Sequence, residues 1–261
     1  MILFIHILKT AGTTLREEII EKNYKQKEIG YYYGYTPEEM QWNMQNPPKD
    51  KQIKIGCGHF DTGVYNYISR PFTFVTLLRD PVDRVISLFY YLQKLGSPLL
   101  DHLSIEDFLT SNIHYIPRLF FNCQTLDLAA EHPGIDKPCL IWGKVKADIN
   151  QQSPPDLEKA KEHIDKYFSV VGITEMFNES VYLMKKQFGW SDISYTKKNI
   201  NKHPDNTQLP EHVLDFIREK NKIDIQLYEW AKKRFEAKIQ QLDEKDTREL
   251  QEFITKQNME E

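Results

Sequence analysis

The first residues whose types and spacing could do chemistry form a small, hydroxyl-rich turn near the start of the chain. It reads Lys9-Thr10-Ala11-Gly12-Thr13-Thr14 and lies between an apolar run and a stretch with helical periodicity. Backbone N–H groups at the start of a helix bind anions, and Lys9 adds a full positive charge. Small residues let an anion approach the backbone, and threonine hydroxyls add donors. The turn therefore predicts an anion cradle, with an ordinary solvated turn as the alternative.

The order of residues in this turn differs from that of a nucleotide triphosphatase loop. The pattern G-x-x-x-x-G-K-[ST] places its lysine after the second glycine, whereas Lys9 precedes Gly12. No aspartate that could hold a metal stands obviously at a strand tip either. Two alternative functions stay open, a P-loop kinase that uses ATP and a non-catalytic nucleotide-binding module.

A second segment leads from a strand into a helix around Arg79-Asp80-Pro81. The residues before it are β-branched and aromatic, which favours a strand. Asp80 can cap the following helix, and Pro81 suits the first helical position. Ser87 lies eight positions after Arg79, about two turns into that helix.

Together, the two segments resemble the carbohydrate sulfotransferases, especially heparan sulfate 2-O-sulfotransferase and its bacterial relatives. These enzymes use 3′-phosphoadenosine 5′-phosphosulfate (PAPS). In that family, the loop H-x-P-K-T-[AG]-[GS]-T-[ST] holds the 5′-phosphosulfate, and a strand ending in R-D-P, with a serine eight positions after the arginine, holds the 3′-phosphate. The resemblance implies that Arg79 and Ser87 bind the 3′-phosphate. It implies that the 5′-phosphosulfate is bound by Lys9, Thr10, Ala11, Gly12, Thr13 and Thr14.

Other segments extend the resemblance from about residue 2 to about residue 235. Gly58-His59-Phe60 resembles the segment that carries the family's catalytic base, which implies that His59 accepts the proton of the acceptor hydroxyl while Lys9 stabilises the leaving phosphate. Val171 to Glu175 resembles the V-G-[IVL]-T-E strand end. A late basic loop that closes over the nucleotide is matched more loosely by Lys198, Asn199 and Lys202.

The sequence departs from the family pattern at two positions. His6 and an aromatic run are conspicuous as well and can each be interpreted in two ways. Leu8 stands where the family usually has proline, and Leu126 replaces the arginine of N-x-Q-T-R, which bears on acceptor recognition. His6 is interpreted as a structural histidine, with ligand contact as the alternative. The aromatic run 31–35 is interpreted as a half-buried loop, with stacking on sugar rings as the alternative.

Composition narrows the function classes. The chain has 261 residues, with 34 Lys+Arg against 38 Asp+Glu and a net charge of −4, which argues against a dedicated duplex DNA binder. Its three cysteines, at 57, 123 and 139, form no C-x-x-C motif, and no apolar run reaches the ~20 residues of a membrane span. We therefore expect a cytoplasmic protein with reduced thiols, no membrane span, no nucleic-acid partner and no metal.

The elements that must position these residues alternate between strands and helices. Strands are predicted at Ile2–Ile5, Gln52–Gly56, Phe72–Leu78 and Phe168–Ile173, and the chain after Pro210 is predicted to be helical with a break near Asn221. This order predicts an α/β fold with a central parallel sheet flanked by helices, which the resemblance implies is the P-loop-like sulfotransferase fold. We expect one domain over residues 1–242 and a charged, helical C-terminal tail over residues 243–261.

The predicted reaction is transfer of a sulfuryl group from PAPS to the hydroxyl of an acceptor. The resemblance alone favours a carbohydrate acceptor, a glycan, over other hydroxyl compounds. Loops 24–52 and 93–155 are expected to shape the acceptor site. Sulfuryl transfer resembles phosphoryl transfer, in which positioning and charge stabilisation provide most of the catalysis.

Overall fold

The described part of the chain contains a five-stranded parallel sheet. The computed structural model describes residues 1–34, 37–46, 52–96, 100, 102–112, 117–132, 154–198 and 209–260. The strands are β1 (Ile2–Ile5), β2 (Ile29–Tyr32), β3 (Ile55–Gly58), β4 (Thr73–Leu78) and β5 (Phe168–Ile173). Their order across the sheet is β2-β3-β1-β4-β5, and all pairings are parallel. The predicted α/β fold with a central parallel sheet is confirmed.

Helices cover the sheet. Helix α1 spans residues 12–23 in three contiguous pieces, Gly12–Thr14, a π-helical part Leu15–Ile20, and Glu21–Asn23. The later helices are α2 (Pro37–Gln45), α3 (Pro81–Lys94), α4 (Ile105–Asp107, continued by a π-helical turn Phe108–Asn112), α5 (Pro117–Phe120), α6 (Cys123–Leu128), α7 (Leu157–Tyr167), α8 (Phe177–Phe188), α9 (Glu211–Lys220), α10 (Lys222–Gln240) and α11 (Glu244–Glu260). Short 3₁₀ turns occupy Gln26–Glu28, Thr62–Tyr67 and Thr174–Met176.

Burial explains why β1 is apolar at every position from Leu3 to Ile5. Successive side chains of a strand point to opposite faces, so Leu3 and Ile5 pack into one hydrophobic cluster and Phe4 into another. All three are fully buried. A central parallel strand with helices on both faces has no solvent side, which favours a continuous apolar run over an alternating one.

Two strand predictions were wrong in detail. The strand predicted at Gln52–Gly56 is Ile55–Gly58, so it lies about three residues further along the chain. Tyr31 and Tyr32, which were assigned to a loop, belong to β2 at the edge of the sheet. Three of its four residues, Ile29, Tyr31 and Tyr32, favour strands, but the run is short and contains Gly30, so its pairing with β3 decides its conformation.

The C-terminal residues fold back onto the domain. Helix α11 buries Leu250 and packs against α8, where the Tyr182 hydroxyl lies 3.3 Å from a carboxylate oxygen of Asp246. The predicted boundary at residue 242 stays a prediction. Within the described ranges, no helix is both long enough and apolar enough to cross a membrane.

The register of the sheet brings distant residues to one edge. Ile5 of β1 pairs with Gly58 of β3 and with Thr76 of β4. The carboxyl ends of these strands therefore lie side by side, and the segments that follow them emerge together. Ligands of open α/β sheets bind at this edge.

Candidate active site

A pocket of about 350 Å³ opens at the carboxyl edge of the sheet, between the segments that follow β1, β3 and β4. Nine of the predicted site residues line it, namely Lys9, Ala11, Gly12, Thr13, Thr14, His59, Arg79, Ser87 and Lys198. Thr10 lies behind the wall, where its fully buried hydroxyl donates to the Ile7 carbonyl at 2.9 Å. Asn199 and Lys202 lie outside the described residues. The structure thus brings together two motifs that are about 70 residues apart in sequence.

The turn after β1 has an unusual backbone. Lys9 and Ala11 both adopt positive φ, 69° and 61°, in the left-handed region that non-glycine residues rarely occupy. The first helical hydrogen bond of α1 is Leu15 N–H to the Ala11 carbonyl, at 3.2 Å, and the N-cap residue, Ala11, makes no side-chain cap hydrogen bond. The N–H groups of residues 12–14 therefore have no partner in the helix ladder, as an anion site requires.

Gly12 allows the His6 ring to lie directly against this turn. A Cβ placed on Gly12 would overlap the Cδ2–Nε2 edge of that ring. His6 is 7% exposed and lines the pocket, so its reading as a purely structural residue understates its place. The signal that could have found it is its position immediately after β1, at the edge where ligands bind.

Two cationic side chains, Lys9 and Arg79, line the pocket and repel each other. Burial, together with repulsion from Arg79 and Lys94, lowers the pKa of Lys9 to about 8, and the Lys9 ammonium lies 4.2 Å from the centre of the Tyr91 ring. Burial also lowers the pKa of the Arg79 guanidinium, against the opposite influence of Asp83 and Glu175. An anion in the pocket would relieve both effects.

Long-range hydrogen bonds hold Arg79 in place. Its backbone N–H donates to the Gln124 Oε1 at 2.9 Å, and its carbonyl accepts from the Gln124 Nε2 at 2.9 Å. Its guanidinium donates to the Lys9 carbonyl at 3.1 Å, which ties the two turns together. Glu175 accepts from the Asp80 N–H at 3.0 Å. Gln124 and Glu175 both lie in segments that resemble family motifs, but no local sequence pattern indicated that they support Arg79 and Asp80.

The helix after Arg79 begins as predicted. The Asp80 carboxylate accepts from the N–H groups of Val82 and Asp83, and Pro81 is the first residue of α3. Ser87 is almost fully buried on this helix and faces the same pocket as Arg79. A guanidinium and a hydroxyl thus line one end of the pocket.

His59 follows β3 directly, and a hydrogen bond determines which of its nitrogens carries the proton. Its Nδ1 lies 2.6 Å from the His6 carbonyl oxygen. A carbonyl only accepts, so Nδ1 is the donor and the neutral ring carries its lone pair on Nε2. The ring lies 4.5 Å from the His6 ring, centre to centre. His59 is therefore oriented as a base can be.

The late basic segment crosses the start of α1. The Lys198 N–H donates to the Thr14 hydroxyl at 3.1 Å, while its ammonium pairs with Glu18 at 2.9 Å. The closure of this segment over the nucleotide stays a prediction. Its first residues, Lys197 and Lys198, line the pocket.

Comparison with known proteins identifies the family to which this chain belongs. A sequence profile described as galactose-3-O-sulfotransferase matches residues 2–259. The chain belongs to this sulfotransferase family. Membership confirms the predicted class, a carbohydrate sulfotransferase, and the class implies PAPS as co-substrate. The narrower likeness to heparan sulfate 2-O-sulfotransferase stays a prediction.

Individual relatives of this sulfotransferase are distant. Heparan-sulfate 6-O-sulfotransferase 3-B of Danio rerio is 23% identical over 287 residues, covering 95% of this chain and 67% of that protein. Galactose-3-O-sulfotransferase 3 of Mus musculus is 26% identical over 208 residues, covering 74% of this chain and 45% of that protein. A crystal structure of a sulfotransferase from Alicyclobacillus acidocaldarius gives a TM-score of 0.44 at 14% identity, covering 87% of this chain and 95% of that one.

The far wall of the sulfotransferase pocket was not predicted. It is formed by Tyr91, Thr174, Phe177, Tyr195 and Lys197. Phe177 and Tyr195 meet edge to face with their ring centres 4.8 Å apart. The Thr174 hydroxyl is buried and has no hydrogen-bond partner among the described residues. A buried polar atom without a partner is costly, so a ligand that supplies one fits this wall.

Proposed function

We propose that this sulfotransferase binds PAPS in the pocket at the carboxyl edge of its sheet and transfers the sulfuryl group to a carbohydrate hydroxyl. One observation carries the proposal. The mutually repelling cations Lys9 and Arg79 share a pocket with an uncapped helix N-terminus and with a histidine whose Nε2 can accept a proton. That combination suits an anionic donor and a hydroxyl acceptor.

The residues present fit the donor. PAPS supplies a sulfuryl group bonded to an oxygen of its 5′-phosphate. As the acceptor oxygen bonds to sulfur, this S–O bond breaks, and the phosphate leaves as part of adenosine 3′,5′-bisphosphate. The backbone N–H groups of residues 12–14 and the ammonium of Lys9 are suited to hold the 5′-end, and Arg79 with Ser87 the 3′-phosphate. A guanidinium can contact two phosphate oxygens at once, which gives it an advantage at that position.

His59 has the role of general base. Because its Nδ1–H donates to the His6 carbonyl, its Nε2 accepts the proton that the acceptor hydroxyl loses. In the neutral ring this nitrogen has a lone pair, which is what a general base needs. A positioned base contributes roughly 10²–10⁴-fold to the rate.

Lys9 acts on the charge that develops at the leaving oxygen. It lies on the strained turn, and its carbonyl is held by Arg79 at 3.1 Å. A cation that is fixed before the reaction stabilises the transition state without reorganisation. Its effect is therefore expected on turnover more than on affinity for the product nucleotide.

The names of the relatives support a carbohydrate acceptor. The similar proteins are named for transfer to heparan sulfate and to galactose. We propose an oligosaccharide hydroxyl as the acceptor here, and a cytoplasmic location, as the cysteine pattern predicts.

The test compares His59→Ala with His212→Ala, a surface histidine paired with Glu106. Labelled PAPS is offered with a panel of galactosides and heparan oligosaccharides, and adenosine 3′,5′-bisphosphate binding is measured by calorimetry. We expect His59→Ala to lose ~10²–10⁴-fold in turnover while its bisphosphate affinity stays within about twofold. Equal turnover in the two variants would remove His59 from the mechanism.

A further inference from the structure

Three ring side chains meet at the edge of the sheet because of strand register. Tyr32, Gly58 and Ile5 lie at one level of β2, β3 and β1. The next residue after each is Tyr33, His59 and His6. The Tyr33 ring lies edge-on to the His59 ring at 4.8 Å, and the two imidazoles lie 4.5 Å apart. The reaction scheme above uses only one of these three rings.

A hydrogen bond joins Tyr33 to His6. The Tyr33 hydroxyl lies 3.0 Å from the His6 Nδ1. Burial raises the pKa of Tyr33 far above its usual range, so the phenol keeps its proton. The Arg16 guanidinium, 5.1 Å from the ring centre, can only donate and so cannot receive that proton. The phenol is thus placed to donate to His6 Nδ1, and with that donation the neutral His6 ring carries its own proton on Nε2.

The Nε2 edge of His6 faces the anion cradle. It lies against Gly12 at the N-terminus of α1, where even a methyl group would overlap it. His6 and Gly12 line the same pocket as Lys9 and His59. The two histidines thus have opposite tautomers at one place, a donor at His6 Nε2 and an acceptor at His59 Nε2.

We propose that His6 is a second functional histidine, which donates its Nε2–H to an oxygen of the transferring sulfuryl group, and that Tyr33 is the positioning residue that holds this tautomer. The inference rests on the proposed function. No bond to His6 forms or breaks, and His6 keeps its proton throughout. The proton of the acceptor hydroxyl goes to His59 Nε2, and the electron pair of the breaking S–O bond stays with the leaving phosphate.

A donor at this point suits the charge of the sulfuryl group. Hydrogen bonds to an anionic oxygen are stronger than those between neutral groups, and losing one costs roughly 10–100-fold. The adenosine 3′,5′-bisphosphate product lacks the sulfuryl group. Loss of the His6 N–H should therefore weaken the binding of PAPS and leave the binding of the bisphosphate product almost unchanged.

The first test reads the tautomers in the ligand-free protein, independently of any activity. Nitrogen NMR of ¹⁵N-histidine-labelled protein, assigned with His6→Gln, is expected to show His6 protonated on Nε2 and His59 on Nδ1. Tyr33→Phe should release the His6 tautomer into a mixture. Tyr31→Phe is the matched control, because Tyr31 lies two residues earlier, in β2, and its hydroxyl donates to the exposed Glu21. A His6 ring protonated on Nδ1 would overturn the inference.

The second test separates donor from product. His6→Leu removes the N–H at similar side-chain size, whereas His6→Gln offers an amide N–H in its place. By calorimetry at a temperature where hydrolysis is slow, His6→Leu should bind PAPS at least ~10-fold more weakly, with bisphosphate affinity within about twofold, and His6→Gln should recover part of the loss. Equal losses for both ligands would refute the role of His6. Wild-type protein that fails to bind PAPS would instead refute the proposed function.

The third test asks whether Tyr33 acts through His6. Tyr33→Phe should weaken PAPS binding and lower turnover by no more than His6→Leu does, with bisphosphate affinity within about twofold, and it should add no further loss in the His6→Leu background. Contacts that form one unit behave in this non-additive way. Additive losses, together with a matching fall in thermal stability, would show that Tyr33 only supports the fold.

Discussion

The turns after β1 and β4 both lead from a buried strand into a helix at the same pocket, yet their backbone N–H groups have different partners. In the first turn, no side chain caps α1, and the helix ladder begins only at Leu15. Two residues, Lys9 and Ala11, adopt strained positive φ angles. The N–H groups at this end are left to an outside partner.

In the second turn, protein groups occupy the corresponding positions. The Arg79 N–H donates to Gln124, the Asp80 N–H donates to Glu175, and the next N–H groups in α3 donate to the Asp80 carboxylate. Neither Arg79 nor Asp80 has a positive φ. In the proposed complex, this turn contacts the ligand through side chains, the Arg79 guanidinium and the Ser87 hydroxyl, both of which line the pocket.

The difference teaches how one fold divides recognition between backbone and side chain. Backbone donors must be satisfied somewhere. Where the protein satisfies them, the turn is rigid and unstrained, and its side chains can select a ligand. Where it does not, the turn is strained, and the proposed anion would supply the missing hydrogen-bond partner. Strain of this kind is a common feature of functional sites.

The largest expected effect comes from filling the first turn. Gly12→Ala places a Cβ where the His6 ring lies, so the ring or the turn must move. A displacement of about 1 Å in an active site can cost ~10²-fold, and we expect a loss of turnover of at least that size. The control is Gly189→Ala at the end of α8, where an added Cβ meets open space away from the pocket lining, and which should keep turnover within a few-fold. Full activity in Gly12→Ala would contradict the contact.

Removing the side chain of the second turn should change selectivity. Arg79→Ala is expected to weaken adenosine 3′,5′-bisphosphate binding by at least ~10-fold, because a charge-assisted hydrogen bond is lost. AMP lacks the 3′-phosphate, so its affinity should change only through the bond from Arg79 to the Lys9 carbonyl. Calorimetry with both nucleotides measures the difference, and Arg218→Ala on the surface is the control. Equal losses for the two nucleotides would make Arg79 a support of the first turn only.

The activity should also depend on pH, through the ionisation of Lys9 in the first turn. The pKa of Lys9 is lowered to about 8 by burial and by its cationic neighbours Arg79 and Lys94, so Lys9 is charged below that pH and neutral above it. The ratio kcat/KM for PAPS should fall as pH rises through about 8, by up to ~10-fold per pH unit, because Lys9 must be charged to stabilise the leaving oxygen. In Lys9→Arg the cation stays charged, and this fall should disappear. Steady-state kinetics between pH 7 and 9.5 provide the check, and a flat wild-type profile would be inconsistent with it.

The smallest effect is expected at the cap of α3. Asp80→Ala should lower the free energy of unfolding by about 1 kcal/mol, the usual contribution of an N-cap. Asp156→Ala removes an equivalent cap from α7, far along the chain, where Asp156 accepts from the Lys159 N–H. Urea denaturation should show similar losses in both variants. Only Asp80→Ala should also weaken bisphosphate binding, by a few-fold, and a matching loss in Asp156→Ala would argue against a local effect.

Local patterns in the sequence determined much of the fold. The apolar run of β1, the β-branched and aromatic residues of β4, and the caps Asp80 and Asp156 each act within a few residues of the element they specify. Propensity and capping are short-range effects, so they can be read from a single chain. The two segments proposed to bind phosphate were also recognisable, because the residues of each lie close together in the sequence, at 9–14 and 79–87.

Tertiary structure alone decided the rest. Strand β2 is short and contains Gly30, so its pairing with β3 makes it a strand. Gln124 and Glu175 support the second turn across 45 and 95 residues of sequence. Tyr33, His6 and His59 meet only because parallel strands end in register. Such contacts depend on which strands pair and on where the side chains then lie, and no local propensity encodes that choice.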